Sequence, residues 1–355
     1  MNVLCLSRYS LQAANTRYRV GQYVDKLRCQ CPDVSIDYVP AYSDAHLFEL
    51  YRNGRPTLWV GATMLSAMLK RFIDLTLRDF DRYDAIIATA DLIPWLPFVM
   101  ESRAYRSKPG VVIDLDDARW TTYSRMPVLR HKYSRVLASA RHVIAGNHQI
   151  ARHALQYNTH VTVIPTVVDA DNYRPKEHYE FNDDGRANIG WIGTPVTAQH
   201  LLSHSAALRS LALRRKFVLN CIGAGAGFQI PGVDVCSTPW SAKTESEVLR
   251  SLDIGIMPLP DDAIARGKSG LKLIQYLAAG LPAVASAVGA NCDIIVDNVS
   301  GLLSHSIDEF AIKLEMLLAD RDLRISLGTA GRKVAVERFS LQSQSEKFAS
   351  VLMGS

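Results

Sequence analysis

The stretch A-I-A-R-G-K-S-G-L-K-L-I-Q-Y-L-A-A-G-L-P-A-V-A-S, Ala263–Ser286, decides the reading of this chain. It follows a short apolar run, Asp253–Met257, which Pro258 and Pro260 close. Gly267 and Gly270 loosen the loop, and Leu271–Ala279 carries a helical pattern. Gly280 is a C′ terminator and Pro282 prevents continuation. A second apolar run, Ala283–Ala285, begins at once. Strand, glycine loop, helix, strand is the unit of a parallel sheet. A glycine loop feeding a helix start offers backbone N–H groups and a positive dipole end, which suit phosphate. Lys272 falls in the first turn, where the dipole disfavours a cation unless an anion lies beside it. Lys268 stands in the loop, and Gln275 lies one turn on, where an amide can meet a sugar hydroxyl. The same residues also make an ordinary strand–loop–helix with surface lysines.

The pattern extends in both directions. Val3–Leu6, Ser35–Val39, Ala85–Thr89, Val111–Leu115, His142–Ala145 and Val161–Ile164 are apolar runs with room for helices between them. They do not alternate, as expected of strands buried on both faces. Asp169–Arg186 is polar and aperiodic and reads as a linker. A second series follows at Ile189–Ile192, Phe217–Ile222, Val233–Cys236, Ile254–Met257, Ala283–Ala285 and Leu302–Leu303. Helical patterns close the chain around Ile307–Leu318, Leu323–Val336 and Leu341–Leu352. The expected architecture is α/β: two Rossmann-like, doubly wound domains facing across a cleft, where ligands bind. The boundaries are 1–178 and 179–339, with 340–355 packing back on the first domain. Sugar-nucleotide transferases, epimerases, two-domain dehydrogenases and periplasmic-type binding proteins all fit this architecture.

Composition narrows the choice. The chain has 355 residues, 48% hydrophobic and 21% charged, an ordinary globular balance. No apolar run approaches the roughly 20 residues of a membrane span. The start, Met-Asn-Val-Leu-Cys-Leu-Ser-Arg, predicts no signal peptide, which weakens the periplasmic class. Cysteines at 5, 29, 31, 221, 236 and 292 form no paired knuckles, favouring a reducing, cytoplasmic setting without structural zinc. Ala118–Val168 holds no Asp or Glu, but it holds Arg119, Arg125, Arg130, Lys132, Arg135, Arg141 and Arg152. Such a stretch faces phosphorylated partners or an anionic membrane surface, or is a solvated face balanced by acids nearby in space. The helical pattern Met64–Leu77, with Lys70 and Arg71, is either core or a shallow membrane contact.

Other candidates cluster at strand ends. Gly193-Thr194-Pro195 follows a strand and reads as a phosphate loop or a helix cap, with Thr197 adding a hydroxyl. Gly223-Ala224-Gly225 makes a tight loop after Phe217–Ile222, and Trp240 either stacks on a base or packs. Asp114-Leu115-Asp116-Asp117 ends a strand, and clustered acids there are costly unless used or paired. Asp116 and Asp117 are the carboxylates proposed for chemistry, or partners of Arg119 or Arg17. Arg17 and Arg19 either grip an acceptor or donor phosphate or pair with those aspartates. The ten histidines show no metal spacing. No G-x-G-x-x-G follows the first strand, which argues against a dinucleotide dehydrogenase, and there is no Walker loop or Gly-x-Ser-x-Gly elbow.

The central stretch resembles the donor-binding segment of GT-B retaining glycosyltransferases of the family-4 kind, the glycosyl transferases group 1. Their motif reads Glu, seven residues, Glu, then small residues ending in Gly and Pro; G-L-K-L-I-Q-Y-L-A-A-G-L-P aligns to it without gaps. A-R-H-V-I-A-G-N (140–147), V-T-V-I-P-T-V-V-D (161–169), N-I-G-W-I-G-T-P (188–195) and the closing R-F-S resemble further blocks in the family's order. The first motif Glu falls at Gly267 and the second at Gln275, so the chain reads as a divergent branch. The resemblance implies transfer of a sugar from a nucleotide-diphosphate sugar to an acceptor hydroxyl, with retention and without metal or cofactor. Lys268, Ser269, Gly270, Leu271, Lys272, Gly193 and Thr194 would hold the donor diphosphate, with Lys268 also catalytic. Gln275, Gly223 and Trp240 would meet ribose and base. The acceptor, a glycan or lipid-linked glycan, would enter on the Arg17 and Arg19 side. It also implies a role in cell-surface polysaccharide or glycolipid synthesis at the inner face of the membrane, with no nucleic acid as partner. Two alternatives remain: a GT-B-fold nucleotide-sugar epimerase, and a non-catalytic nucleotide-sugar-binding partner of a transferase.

Overall fold

The computed structural model describes residues 1–30, 33–53, 57–181 and 184–354. They form two compact units. The first comprises Met1–Thr166, Gly267–Ser269 and Gln344–Ser355; the second comprises Val167–Arg266 and Gly270–Ser343.

Among the described residues, the first unit holds a six-stranded parallel sheet. Its strands are β1 (Asn2–Ser7), β2 (Ser35–Pro40), β3 (Ala85–Ala88), β4 (Val111–Leu115), β5 (His142–Ala145) and β6 (Val161–Val163), ordered β2-β1-β3-β4-β5-β6. The second unit repeats the plan. Strands β7 (Ala187–Ile192), β8 (Phe217–Ile222), β9 (Val235–Thr238), β10 (Ile254–Met257), β11 (Ala283–Ser286) and β12 (Leu302–Ser304) are ordered β12-β11-β10-β7-β8-β9. The chain leaves β1 to one side for β2 and returns to the other for β3, and β7 is treated likewise. Each sheet therefore has a switch point at the carboxyl end of its first strand, where ligands of open α/β sheets bind. Strands β3, β4, β10 and β11 are buried at every residue, which accounts for their unbroken apolar runs.

The helix Leu271–Ala278 (α1) is set by three residues. Gly270 caps it at φ +73°, and a Cβ there would fall 2.3 Å from the Ile294 side chain, so glycine is required twice over. Tyr276 accepts from the Ile192 N–H at 3.0 Å and donates to the Ile256 carbonyl at 3.3 Å. Its ring lies on Gly255, where a Cβ would come within 2.5 Å of it. Helix α1 is thereby pinned over β7 and β10. Gly280 ends it at φ +71°.

The polar segment read as a linker is fastened to the second unit, and Asn182 and Asp183 within it lie outside the described residues. Tyr173 donates to Glu245 at 2.9 Å, Lys176 reaches the Leu252 carbonyl at 2.8 Å, and Tyr179 donates to the Gly280 carbonyl at 2.8 Å. The units accordingly divide after Thr166 rather than after residue 178. Polarity suggested a free linker because its partners are distant in sequence. In the first unit, Tyr23 stacks on Phe348 of the last helix, Leu341–Met353, with centroids 4.2 Å apart.

The helical pattern read from Met64 begins earlier. Thr57 accepts from the Val60 N–H at 3.2 Å and caps a helix spanning Leu58–Leu77. Arg71 is buried and donates to the Ser7 and Val39 carbonyls at 2.9 and 2.6 Å. The described cysteines are free thiols, and Cys31 lies outside the described residues.

Candidate functional site

At the carboxyl end of β7 the second unit gathers most of the residues singled out above. The Gly193 N–H donates to the Ile222 carbonyl and that of Gly223 to the Thr238 carbonyl, tying the ends of β7, β8 and β9 together. Gly223 has φ +78°, and a Cβ on it would strike the Gly193 carbonyl oxygen at 2.3 Å. A Cβ on Gly193 would come within 2.6 Å of the Lys272 ammonium and 2.4 Å of the Trp191 ring. Two glycines thus leave backbone as the floor, and the first turn of α1 hangs an ammonium over it. The Lys272 Nζ lies 4.0 Å from the Trp191 ring centroid and 3.4 Å from the Thr197 hydroxyl. Thr194 and Thr197 close a turn: the Thr194 N–H donates to the Thr197 hydroxyl at 3.0 Å, which donates back to the Thr194 carbonyl at 3.0 Å. The loop is therefore a closed turn, and Thr197 presents its hydroxyl toward Lys272 at the same time.

Beside this floor is a buried polar network. Gln275 is 2% exposed and donates to Glu245 at 2.7 Å and to the Tyr173 hydroxyl at 3.3 Å. Trp240 donates its indole N–H to the other Glu245 oxygen at 2.6 Å. A Cβ on Gly223 would meet the Trp240 Cβ at 3.2 Å, so the network is continuous with the floor. Gly193, Thr194, Gly223, Trp240, Lys272 and Gln275 thus converge. Glu245 and Tyr173 complete the group, and neither stood out in the sequence. The available signal for Glu245 was its place at the head of the acidic helix Glu245–Arg250, five residues after Trp240.

Lys268 and Ser269 are half-buried in the loop ahead of α1 and group with the first unit. In that unit the Asn147 amide donates to the Lys268 carbonyl at 3.2 Å, and a Cβ on Gly267 would strike that of Ala118 at 2.3 Å. The motif's first Glu position has no room for a side chain here.

The first-unit acids are mostly paired. Arg19 is 2% exposed and grips both oxygens of buried Asp114, donating also to the Ile164 carbonyl at 2.9 Å. Its guanidinium is fully engaged inside the unit, the pairing outcome of the two expected for it. Arg17 is half-buried, donates to the Gln12 carbonyl at 3.3 Å and lies over the Tyr18 ring. Arg119 stands 3.8 Å from Asp116 and 3.7 Å from Asp117. Burial and the neighbouring Asp117 charge push the Asp116 carboxyl up to about 6, and its buried Oδ1 accepts no hydrogen bond.

Another buried cluster lies past β1 and β3. Asp91 takes Lys132 at 2.8 Å, Arg8 at 3.0 Å, and the hydroxyls of Tyr123 and Tyr133 at 2.8 and 3.0 Å. Burial alone would raise its carboxyl, but Lys132 and Arg8 outweigh burial and hold it at about 2. Adjacent Glu101 is pushed up to about 7 by burial and by Asp91, which Lys132 at 3.8 Å offsets only in part. Lys132 was counted among the surface cations and is instead 2% exposed, withdrawn from any membrane or phosphate contact.

Residues 187–320 match the family model described as "Glycosyl transferases group 1". The D-inositol 3-phosphate glycosyltransferase of Nocardiopsis dassonvillei is 24% identical over 213 residues, 51% of this chain and 48% of that protein. Its namesake from Geodermatophilus obscurus is 26% identical over 224 residues, 53% of this chain and 48% of that protein. The matched region spans about half the length of these curated relatives. Sucrose-phosphate synthase from Thermosynechococcus elongatus superposes with a TM-score of 0.73 at 13% identity, covering 99% of this chain and 97% of that one. HepE from Anabaena, solved in complex with UDP, gives 0.68 at 14% identity and covers both chains completely. At these identities the likeness shows the fold, the two-domain α/β architecture called GT-B.

Proposed function

We propose that the protein is a retaining, metal-independent glycosyltransferase using a nucleotide-diphosphate sugar. The observation that carries the proposal is the Lys272 ammonium held over the Gly193 backbone, on which Gly223 packs, at the switch point of the second sheet. The family match spans this floor, and HepE of like fold has been solved with UDP-glucose.

In the reaction, the bond from the sugar's anomeric carbon to the diphosphate oxygen breaks. A bond to the acceptor oxygen forms, and the acceptor hydroxyl loses its proton. The departing diphosphate gains charge. Lys272, Lys268, Ser269 and the backbone N–H groups at Leu271 are the preorganised donors that stabilise it. Gln275, held by Glu245 and Tyr173, forms the nucleoside side with Gly223 and Trp240. Asp116, near 6, is suited to exchanging a proton close to neutrality, with Asp117 beside it. Arg17 remains on the acceptor side. The acceptor is a glycan or lipid-linked glycan in cell-surface polysaccharide or glycolipid synthesis.

The test is calorimetric titration with nucleoside diphosphates, followed by a transfer assay in which NMR reads the anomeric configuration of the product. Binding with retained configuration supports the proposal, and inverted configuration removes retention. Donor turnover without acceptor points to an epimerase, and binding without turnover points to a non-catalytic partner.

A further inference from the structure

Among the described residues, two that are not glycine take a positive φ: Asn298 at +61° and Trp95 at +65°. Asparagine tolerates that region, whereas a bulky side chain enters it only at a cost. The Trp95 ring is 42% exposed, so its burial does not explain the conformation. The backbone is held from beneath instead. The Trp95 N–H donates to the Tyr123 hydroxyl at 3.2 Å, and that hydroxyl donates to Asp91 at 2.8 Å. The Tyr123 ring meets the indole edge-on, with centroids 5.3 Å apart. Two residues earlier, the Ile93 N–H donates to Glu101 at 2.8 Å, and the Ile93 carbonyl accepts from Lys132. The buried cluster of Asp91, Lys132 and Glu101 has no part in the transfer step, yet it grips this loop at residues 93 and 95. Buried charges are costly. Strained residues held by such over-determined surroundings cluster at ligand sites.

The loop also stands where a ligand is expected. Strands β1 and β3 are neighbours with β2 outside them, so the switch point of the first sheet lies between the loops that follow β1 and β3. Arg8, just after β1, crosses to Asp91 at 3.0 Å, while its buried Nε–H finds no acceptor. A buried donor of this kind calls for a partner. We infer that this switch point is a carbohydrate subsite, in which one sugar ring stacks on Trp95 and Arg8 donates to one of its hydroxyls. A pyranose has an apolar C–H face and a rim of hydroxyls, and an indole beside an unmet N–H complements both. An anion is less suited, because Asp91 is charged and already offsets the Arg8 charge. Exposed Val99 and Met100 follow in the same loop. A purely apolar partner would have no use for a single indole fixed at a strained φ, whereas stacking needs one fixed orientation.

The inference rests on the glycosyltransferase reading only in making that sugar part of the acceptor. The full chain is labelled with 5-fluorotryptophan, and the Trp95 fluorine resonance is identified by its loss in Trp95→Phe. The probes are the methyl glycosides of glucose, galactose, mannose and N-acetylglucosamine, with inorganic phosphate and hexanol as controls. At least one glycoside should move the Trp95 resonance saturably, and phosphate and hexanol should leave it in place. Trp95→Gly takes the same φ without strain, so it should fold with a melting temperature near that of the wild type. It should bind that glycoside roughly tenfold or more weakly in ligand-observed NMR, and Trp95→Phe, which keeps an aromatic face, should lose less. Arg8→Lys keeps a cation beside Asp91 but drops the Nε donor, and should weaken binding severalfold; if it fails to fold, Trp95→Gly decides. UDP binding, read by calorimetry, should be unchanged in these variants, so a failed donor site and a failed sugar subsite give different results. A Trp95 resonance that no glycoside moves overturns the inference. So does a response to phosphate or hexanol alone, or a Trp95→Gly variant that binds the glycoside as the wild type does.

Discussion

Gln275 donates its amide to the Glu245 carboxylate at 2.7 Å, inside a pocket closed by Tyr173 and Trp240. One amide and one acid meet where two acids would repel. The resemblance alone suggests that Gln275→Glu is harmless, since relatives carry Glu there; the geometry reverses that expectation. Two buried carboxylates would face each other, and one pKa would rise far above its unfolded value. A raised acid costs stability above its folded pKa, and the cost disappears as pH falls below the unfolded one. Gln275→Glu should therefore lose about 1–3 kcal/mol at pH 7 and recover in acid. Gln275→Glu/Glu245→Gln should restore much of the loss. Urea unfolding at several pH values for the four members of the cycle measures this.

Lys272 is the cation of the proposed donor site. Lys272→Ala should lower turnover by roughly 10²–10³, as loss of a preorganised donor does. Stability should fall by no more than about 1 kcal/mol, the scale of its contact with Trp191. Lys268→Ala should behave alike in turnover. Steady-state kinetics beside thermal melts separate the two effects, and near-normal turnover in the double variant removes the assignment.

Arg19 distinguishes pairing from acceptor binding. Removing one partner of a buried ion pair strands the other, at a typical cost of about 3–5 kcal/mol. Arg19→Met should be destabilised on that scale because Asp114 would be left buried without the guanidinium that offsets its burial. Arg19→Met/Asp114→Leu should regain stability. A single variant that folds as well as wild type but loses acceptor affinity would contradict the pairing role.

Glu101 predicts a pH signature. Its folded pKa, near 7, lies above the unfolded value of about 4.5. The folded state therefore binds the extra proton, and stability falls as pH rises through that window. Glu101→Gln should flatten the decline by about 1–3 kcal/mol between pH 5 and pH 8. Denaturant midpoints across that range give the slope directly.

The strands could be read from the chain because burial on both faces leaves uninterrupted apolar runs. Val111–Leu115, Phe217–Ile222 and Ile254–Met257 stand where their sequences place them. The glycine loop, α1 and its C′ glycine were equally visible, since each is a local signal. Of the pairings between distant residues, that of Arg19 with Asp114, across 95 positions, stood in the sequence only as one of two alternatives. Tyr173 with Glu245, across 72, and Gln275 with Glu245, across 30, stayed hidden. Charge counting misplaced Lys132 for the same reason. A basic residue without an acid nearby in sequence looks solvated until the fold brings Asp91 to it.

The polar segment after Val167 has a practical consequence for anyone dissecting the molecule. A cut at residue 179 would look natural on composition, yet it would strip Tyr173 from Glu245 and Lys176 from Asp253. It would also remove the Val168–Ser340 bridge that fastens the end of the unit's long helix, Arg321–Arg338. A fragment spanning 167–343 keeps all three. The first dozen residues of such a fragment behave as a strap whose buckle is the buried Glu245 network, so the place where the gene is cut sets whether an isolated half keeps that network closed.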